Sequence, residues 1–253
     1  MRIIISPAKK MNRDSDTLAA LGQPVFLEKT ERILTWLRQQ SPRELKELWK
    51  CNDKIAAQNV ERIADMDLHH GLTPALLAYE GIQYQYMAPA VFEETMLTYV
   101  QEHLRILSGF YGVLKPMDGV VPYRLEMQAR AGIDGTTDLY TYWNDSLYQE
   151  VVEEDGIIIN LASKEYSKCI EKYLQPKDIF ITCVFGEWEK EKVVQKGTYA
   201  KMARGEMVRF MAENGIDKPD QIKEFNRMDY QFAQELSSET EYVFIRKKDC
   251  NDR

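Results

Sequence analysis

Ile157-Ile158-Ile159-Asn160-Leu161-Ala162-Ser163 is the stretch that decides the fold of this 253-residue chain. Three branched apolar residues in succession suit a strand buried on both faces, and the polar Ser163 that closes the run suits the N-cap of a helix. That helix is predicted from about Lys164 to Leu174. A strand that passes directly into a helix is the repeating step of a parallel sheet. Arg2 to Ile5 forms a second apolar run, closed by Ser6-Pro7 because proline cannot donate to a ladder.

Working outward, Ile33, Leu34, Trp36 and Leu37 mark one face of a helix from Phe26 to Gln40, after a polar loop from Ala8 to about Gln23. Ser41-Pro42-Arg43-Glu44 has the order of an N-cap, a proline and a capping box, and starts the next helix. Further helices are predicted over Asp53–Met66, Pro89–Leu107, Leu139–Glu154 and Tyr199–Asn214, the last closed by Gly215. Strands are predicted at Leu76–Tyr79, Ile179–Phe185, Lys192–Gln195 and Tyr242–Lys247, with a hairpin around Trp188-Glu189-Lys190-Glu191. Strand-to-helix steps mixed with hairpins predict an α/β (α+β) fold, a mixed β-sheet surrounded by helices. No repeat, low-complexity tract or linker divides the chain, so one compact domain over residues 1–253 is expected.

Composition narrows the function. Hydrophobic residues make up 44% and charged residues 29%, which excludes a disordered or collagen-like chain. No run approaches a membrane span and the N-terminus lacks a signal-peptide apolar region, so a cytoplasmic protein with no membrane partner is expected. The net charge of -7 means that any nucleic acid must be met by a local basic patch. Cys51, Cys169, Cys183 and Cys250 are far apart and read as reduced thiols. With only His69, His70 and His103 besides, no metal or other cofactor is expected, and direct iron storage is disfavoured.

Three segments carry candidate chemistry. Between Lys190 and Arg209 lie six Lys or Arg residues against two Glu residues, and helical spacing spreads Lys201, Arg204 and Arg209 as a fan that can face phosphate. The alternative is a solvated helix face, yet Gly205 within it costs about 1 kcal/mol relative to alanine and implies close approach by a backbone or a ligand. In Leu107-Ser108-Gly109-Phe110-Tyr111-Gly112-Val113-Leu114, two glycines bracket two aromatics and permit a turn with exposed N–H groups, or a plain structural turn. Asn160 and Ser163 stand where a strand meets a helix start, a common phosphate site, and equally serve as simple caps. Neither a Gly-x-Gly-x-x-Gly nor a Walker-type Gly-Lys-Ser occurs, and no Gly-x-Ser-x-Gly elbow is present.

A set of ordered segments runs along the chain: Ile4-Ile5-Ser6-Pro7-Ala8-Lys9, the block from His103 to Pro116, and Pro122-Tyr123-Arg124-Leu125-Glu126-Met127. It continues through Asp138-Leu139-Tyr140, Trp143, Asp145, Ile159–Ser163 with Glu165-Tyr166, and Lys201-Met202-Ala203-Arg204-Gly205 with Arg209-Phe210. This set carries a resemblance to the YaaA family of bacterial peroxide-stress proteins. The resemblance implies a cytoplasmic protein that limits free iron during peroxide stress and binds DNA through a basic cleft and a helix-hairpin-helix-like element. The matching hairpin would be Ser108 to Leu114, including Gly109 and Gly112, and the cleft would draw on Lys9, Arg105, Arg124, Lys201, Arg204 and Arg209. Lys115 lies beside the hairpin in sequence. One loop departs from the family pattern: Tyr79-Glu80-Gly81-Ile82-Gln83-Tyr84-Gln85-Tyr86 keeps Gly81 and Tyr84 but lacks the acidic residue and second glycine typical there.

Two functions follow as expectations. In the first, basic side chains and hairpin amides hold phosphates of DNA, distorted or non-duplex, and Tyr111 and Tyr123 stack on exposed bases. In the second, an enzyme acts on a phosphorylated or nucleotide-like small anionic ligand through Ser6, Lys9, Arg124, Asn160, Ser163, Tyr166, Lys201 and Arg204.

Overall fold

The apolar run 157–161 pairs on both sides. In the computed structural model, which describes residues 1–13 and 18–247, Ile159 stands opposite Ile3 on one neighbour and Ile181 on the other. The strands are β1 (Arg2–Ile5), β2 (Lys10–Met11), β3 (Thr73–Pro74), β4 (Tyr79–Glu80), β5 (Leu104–Ser108), β6 (Gly112–Leu114), β7 (Gly119–Val120), β8 (Ile157–Leu161), β9 (Ile179–Glu189), β10 (Lys192–Val194), β11 (Tyr230–Phe232) and β12 (Glu241–Arg246). Eight of them form one sheet in the order β11-β12-β9-β8-β1-β5-β6, with β10 added to β9. The run from β12 to β5 is parallel, while β11, β6 and β10 pair antiparallel. This is the mixed sheet expected from the sequence, and the fully buried Ile3, Ile4 and Ile5 fit the centre of a sheet covered on both faces.

The helices are α1 (Leu27–Gln39), α2 (Pro42–Trp49), α3 (Asp53–Ala64), α4 (Ala75–Ala78), α5 (Ile82–Met87), α6 (Glu94–His103), α7 (Leu139–Trp143), α8 (Ser146–Val151), α9 (Lys164–Glu171) and α10 (Gly197–Asn214). Ser41 opens α2 with the expected capping box, its backbone N–H donating to Glu44 Oε2 at 2.8 Å. Lys190 and Glu191, both at positive φ, turn the β9–β10 hairpin, the backbone that right-twisted strands require of a two-residue turn.

Three expectations are corrected. The helix expected over Pro89–Leu107 stops at His103, and Leu104–Ser108 becomes a strand because β1 offers a parallel ladder to Leu104, Arg105 and Ile106. That tertiary pairing outweighs local helical periodicity. Leu76–Tyr79 is mostly the single turn α4, leaving only Tyr79 to pair in β4. Leu139–Glu154 splits into α7 and α8 at Asn144, whose backbone (φ 49, ψ -135) cannot continue a helix. Cys51, Cys169 and Cys183 are free thiols, and Cys250 lies outside the described residues, as do 14–17 of the polar loop.

The close approach signalled by Gly205 is to a backbone. A Cβ on Gly205 would sit 2.1 Å from the Gln83 carbonyl oxygen and 2.9 Å from the Met87 nitrogen, so α10 presses directly on α5. Gly205→Ala must push the two helices apart, and we expect a loss of about 3 kcal/mol or more, a fall in Tm on the order of 10 °C. Gly197→Ala, with open space around the added methyl, should leave the melting curve unchanged.

Asp118 supplies a pH signature. It is buried, it accepts the Lys115 N–H at 2.8 Å, and burial pushes its carboxyl up to about 6. Because the folded value lies above the ordinary one, ionisation opposes folding, and stability from this group grows as pH falls from about 6 toward 4. Asp118→Asn should flatten that part of a Tm-against-pH curve, by roughly 1–3 kcal/mol between its ends.

Candidate functional site

Parallel pairing brings the carboxyl ends of β1 and β8 side by side, so the loops that leave them meet. The Ser163 N–H donates to Ser6 Oγ at 2.8 Å, and the two serine hydroxyls lie 3.2 Å apart. The Tyr84 hydroxyl, from α5, donates to the Ser6 carbonyl at 3.0 Å. These contacts form the floor of a cavity of about 410 Å³ at the sheet's carboxyl edge, the position where open α/β sheets hold ligands. Its remaining walls come from Lys9 and Lys10, from Gly81–Tyr84, from Tyr123–Glu126, from α9 through Glu165 and Tyr166, and from α10 through Lys201 and Arg204.

Five cationic side chains face three carboxylates around this cavity. Lys9 pairs with Glu126 at 2.9 Å, Arg124 reaches the same carboxylate at 3.4 Å, and Lys10 pairs with Glu80. Lys201 and Arg204 have neither an ion pair nor a side-chain hydrogen bond among the described residues. Arg204 is half-buried, and desolvation draws its guanidinium below the usual arginine range. Its Nε, the Nε of Arg124 and the Nε2 of Gln83 are buried with no partner. Each such orphaned donor costs about 1–3 kcal/mol, a cost that an acceptor-rich ligand removes. Glu165 is held by the Gln128 N–H at 3.3 Å, and burial, with Glu126 nearby, raises its carboxyl above the usual range.

Behind the wall runs a chain of buried hydroxyls. Tyr123 OH lies 2.8 Å from Tyr79 OH and 2.6 Å from Ser108 Oγ, and burial pushes the Tyr123 phenol up to about 12. These groups stay neutral at physiological pH and fix the loop that carries Arg124.

The structure thus brings together Ser6, Lys9, Tyr123, Arg124, Ser163, Tyr166, Lys201 and Arg204. It does not bring the others there. Arg105 is buried and donates to the carbonyls of Gln101, Glu102 and Leu104, and Lys115 stands with it at a different groove. Arg209 turns from the fan to Glu213 at 2.7 Å. Asn160 is a turn-former: its Oδ1 accepts the Ala162 N–H at 2.9 Å and its Nδ2 donates to Thr182 at 3.1 Å. Ser163 holds the N-cap position of α9 but makes no capping bond, its hydroxyl being engaged with Ser6.

The glycine-aromatic segment is corrected more fully. Ser108, Gly109, Tyr111 and Gly112 form the β5–β6 hairpin, a β-hairpin between sheet strands and not a turn between helices. It is buried: Tyr111 is 1% exposed, and its hydroxyl accepts the Val121 N–H at 3.0 Å. The Phe110 and Tyr111 N–H groups donate to Ser108 Oγ at 3.2 and 2.9 Å, so these two hairpin amides are not left for phosphate. Tyr111 and Tyr123 are packed against each other and against Phe110, which removes their faces from bases. Short turns between helices occur elsewhere, among them α2 to α3 through Lys50-Cys51-Asn52, with Lys50 left-handed and Asn52 capping the Ile55 N–H at 2.9 Å.

Sequence reasoning missed Lys10, Gln83, Glu126 and Glu165 as cavity residues. The available signals were Gly205, which marks where α5 docks, and Gly81, whose Cβ would meet Ala8 at 3.0 Å. Among the described residues no group of three or more His, Cys, Asp or Glu is placed to hold a metal ion, and no helix is long and apolar enough to cross a membrane.

A family model described as peroxide stress protein YaaA matches residues 1–236. The chain is 63% identical over 247 residues to a UPF0246 protein of Agathobacter rectalis, covering 98% of this chain and 99% of that one. It is 56% identical over 246 residues to a UPF0246 protein of Lachnoclostridium phytofermentans, with 97% and 96% covered, and 52% identical over 248 residues to one of Pediococcus pentosaceus, with 98% and 99% covered. With most of its length matched in both comparisons, the chain belongs to the peroxide stress protein YaaA family, UPF0246.

Proposed function

We propose that this protein acts in the hydrogen peroxide response, limits free intracellular iron and shields DNA, and that it engages DNA phosphates at the β1–β8 cavity. The observation that supports this most is Arg204, a half-buried guanidinium in a concave site that makes no ion pair among the described residues. Guanidinium forks suit phosphate oxygens, and the exposed Lys9, Lys10 and Lys201 at the mouth extend the positive surface along a strand. The α2–α3 pair is the proposed helix-hairpin-helix-like element, with Lys50 and Lys54 at its turn. A second reading, a small phosphorylated or nucleotide-like ligand in the same cavity, is favoured by its volume, which lies within the roughly 300–1,000 Å³ of small-molecule sites.

Fluorescence anisotropy of labelled duplex across a salt series tests the proposal. The log–log slope should fall by about 1–2 in a Lys201→Ala, Arg204→Gln double variant, one unit per lost phosphate contact. Arg209→Ala, which removes a charge already paired with Glu213, should leave affinity and slope unchanged. DNA binding that is equally salt-dependent in the double variant removes the cavity from the reading. In peroxide-treated cells, the Arg204→Gln variant should leave chelatable iron higher than the wild type does.

A further inference from the structure

We infer that the β1–β8 cavity receives a single nucleotide, its phosphate on the guanidinium of Arg204 and its base against Gln83 and the tyrosine wall. The inference deepens the proposed function and rests on its claim that this cavity is the anion site. Among the described residues, seven buried side-chain nitrogen or oxygen atoms have no partner, and three of them, on Gln83, Arg124 and Arg204, belong to residues lining this one cavity. All three are donors, so the complementary molecule must be rich in acceptors. Gln83 is the most telling, because it is 7% exposed and cut off from the bulk water that would otherwise satisfy its amide.

Phosphate alone leaves most of this volume unused. Between its polar groups the lining carries Ile82, Tyr84, Leu125 and Tyr166, which add apolar contact for a heterocycle. Glu126 is already engaged by Lys9 and Arg124, while Glu165 remains an acceptor for an exocyclic amine. An anionic head, a planar apolar body and hydrogen-bonding edges of both kinds together describe a nucleotide. That chemistry has two sources, a free mononucleotide or a nucleotide swung out of a DNA strand, and the mouth lysines suit the second by holding the flanking backbone.

The test uses the full chain and calorimetric titration with dAMP, deoxyadenosine, deoxyribose 5-phosphate and inorganic phosphate. dAMP should bind about tenfold more tightly than any of the three fragments, since each lacks one half of the match. Gln83→Leu should weaken dAMP about fivefold, the loss of one hydrogen bond, while Tm stays the same or rises because an orphaned donor has been removed. Binding of dAMP no tighter than inorganic phosphate, or unchanged in Gln83→Leu, overturns the inference. Arg204→Gln, should it unfold, is replaced by Lys201→Ala at the exposed rim.

A duplex with one unpaired adenine, compared with the same duplex abasic at that position, separates the sources. Tighter binding of the adenine form, competed by dAMP, assigns a nucleotide of DNA, whereas dAMP binding without that preference assigns the free nucleotide. If dAMP fails while DNA binding stays salt-dependent and sensitive to the Lys201→Ala, Arg204→Gln variant, the inference falls and the DNA reading stands. If that sensitivity is also lost, the cavity reading falls with it.

Discussion

Parallel pairing of β1 with β8 is the constraint from which the site follows. Ile3 opposite Ile159 and Ile5 opposite Leu161 fix a register in which both strands end at the same level. Side chains on a two-sided buried strand leave no freedom for a one-residue slip, since a slip exchanges the faces on which every residue packs. With register fixed, Ser6 and Ser163 emerge together, and the Ser163 N–H to Ser6 Oγ bond closes the floor. Backbone geometry therefore sets the site before any charged residue is placed.

The second constraint is the contact of α10 with α5. Gly205 permits a distance that no side chain allows, and it fixes two cavity groups at once, because Arg204 precedes it and Gln83 carries the carbonyl it touches. Without a Cβ at residue 205 the helices approach until Arg204 and Gln83 share a wall, both poorly hydrated. The conformational cost of glycine within a helix is thereby exchanged for a rigid pair of donors, a trade seen where function requires preorganisation.

Much of this was legible in the sequence. The runs 2–5 and 157–161 gave the strands through composition alone, and Gly205 announced a close contact within a helix. The hairpin at 108–114 was legible as a turn, but not its burial: glycine and aromatic residues permit an exposed turn and a packed one equally, and only the neighbouring Val121 and Trp143 decide it. Arg105 misled for a related reason. A charged residue in a predicted helix reads as surface, yet three carbonyls at the end of α6 take up its Nη1 within the fold, its Nε staying without a partner. Gln83 and Glu165 were invisible because residues distant in sequence create their surroundings, and no local pattern encodes that.

The overall charge of -7 and the proposed anion site are compatible on grounds of distance. At physiological salt, exposed charges are screened within about 8 Å, so the acidic bulk of the surface acts weakly on a ligand already in the cavity. Inside, a lower effective dielectric strengthens the field of Arg204, and two of the three carboxylates around the cavity are bound: Glu126 to Lys9 and Arg124, Glu80 to Lys10. A partly desolvated Arg204 without an ion pair among the described residues suits the proposed ligand as an anion held deep rather than one that rests on the surface.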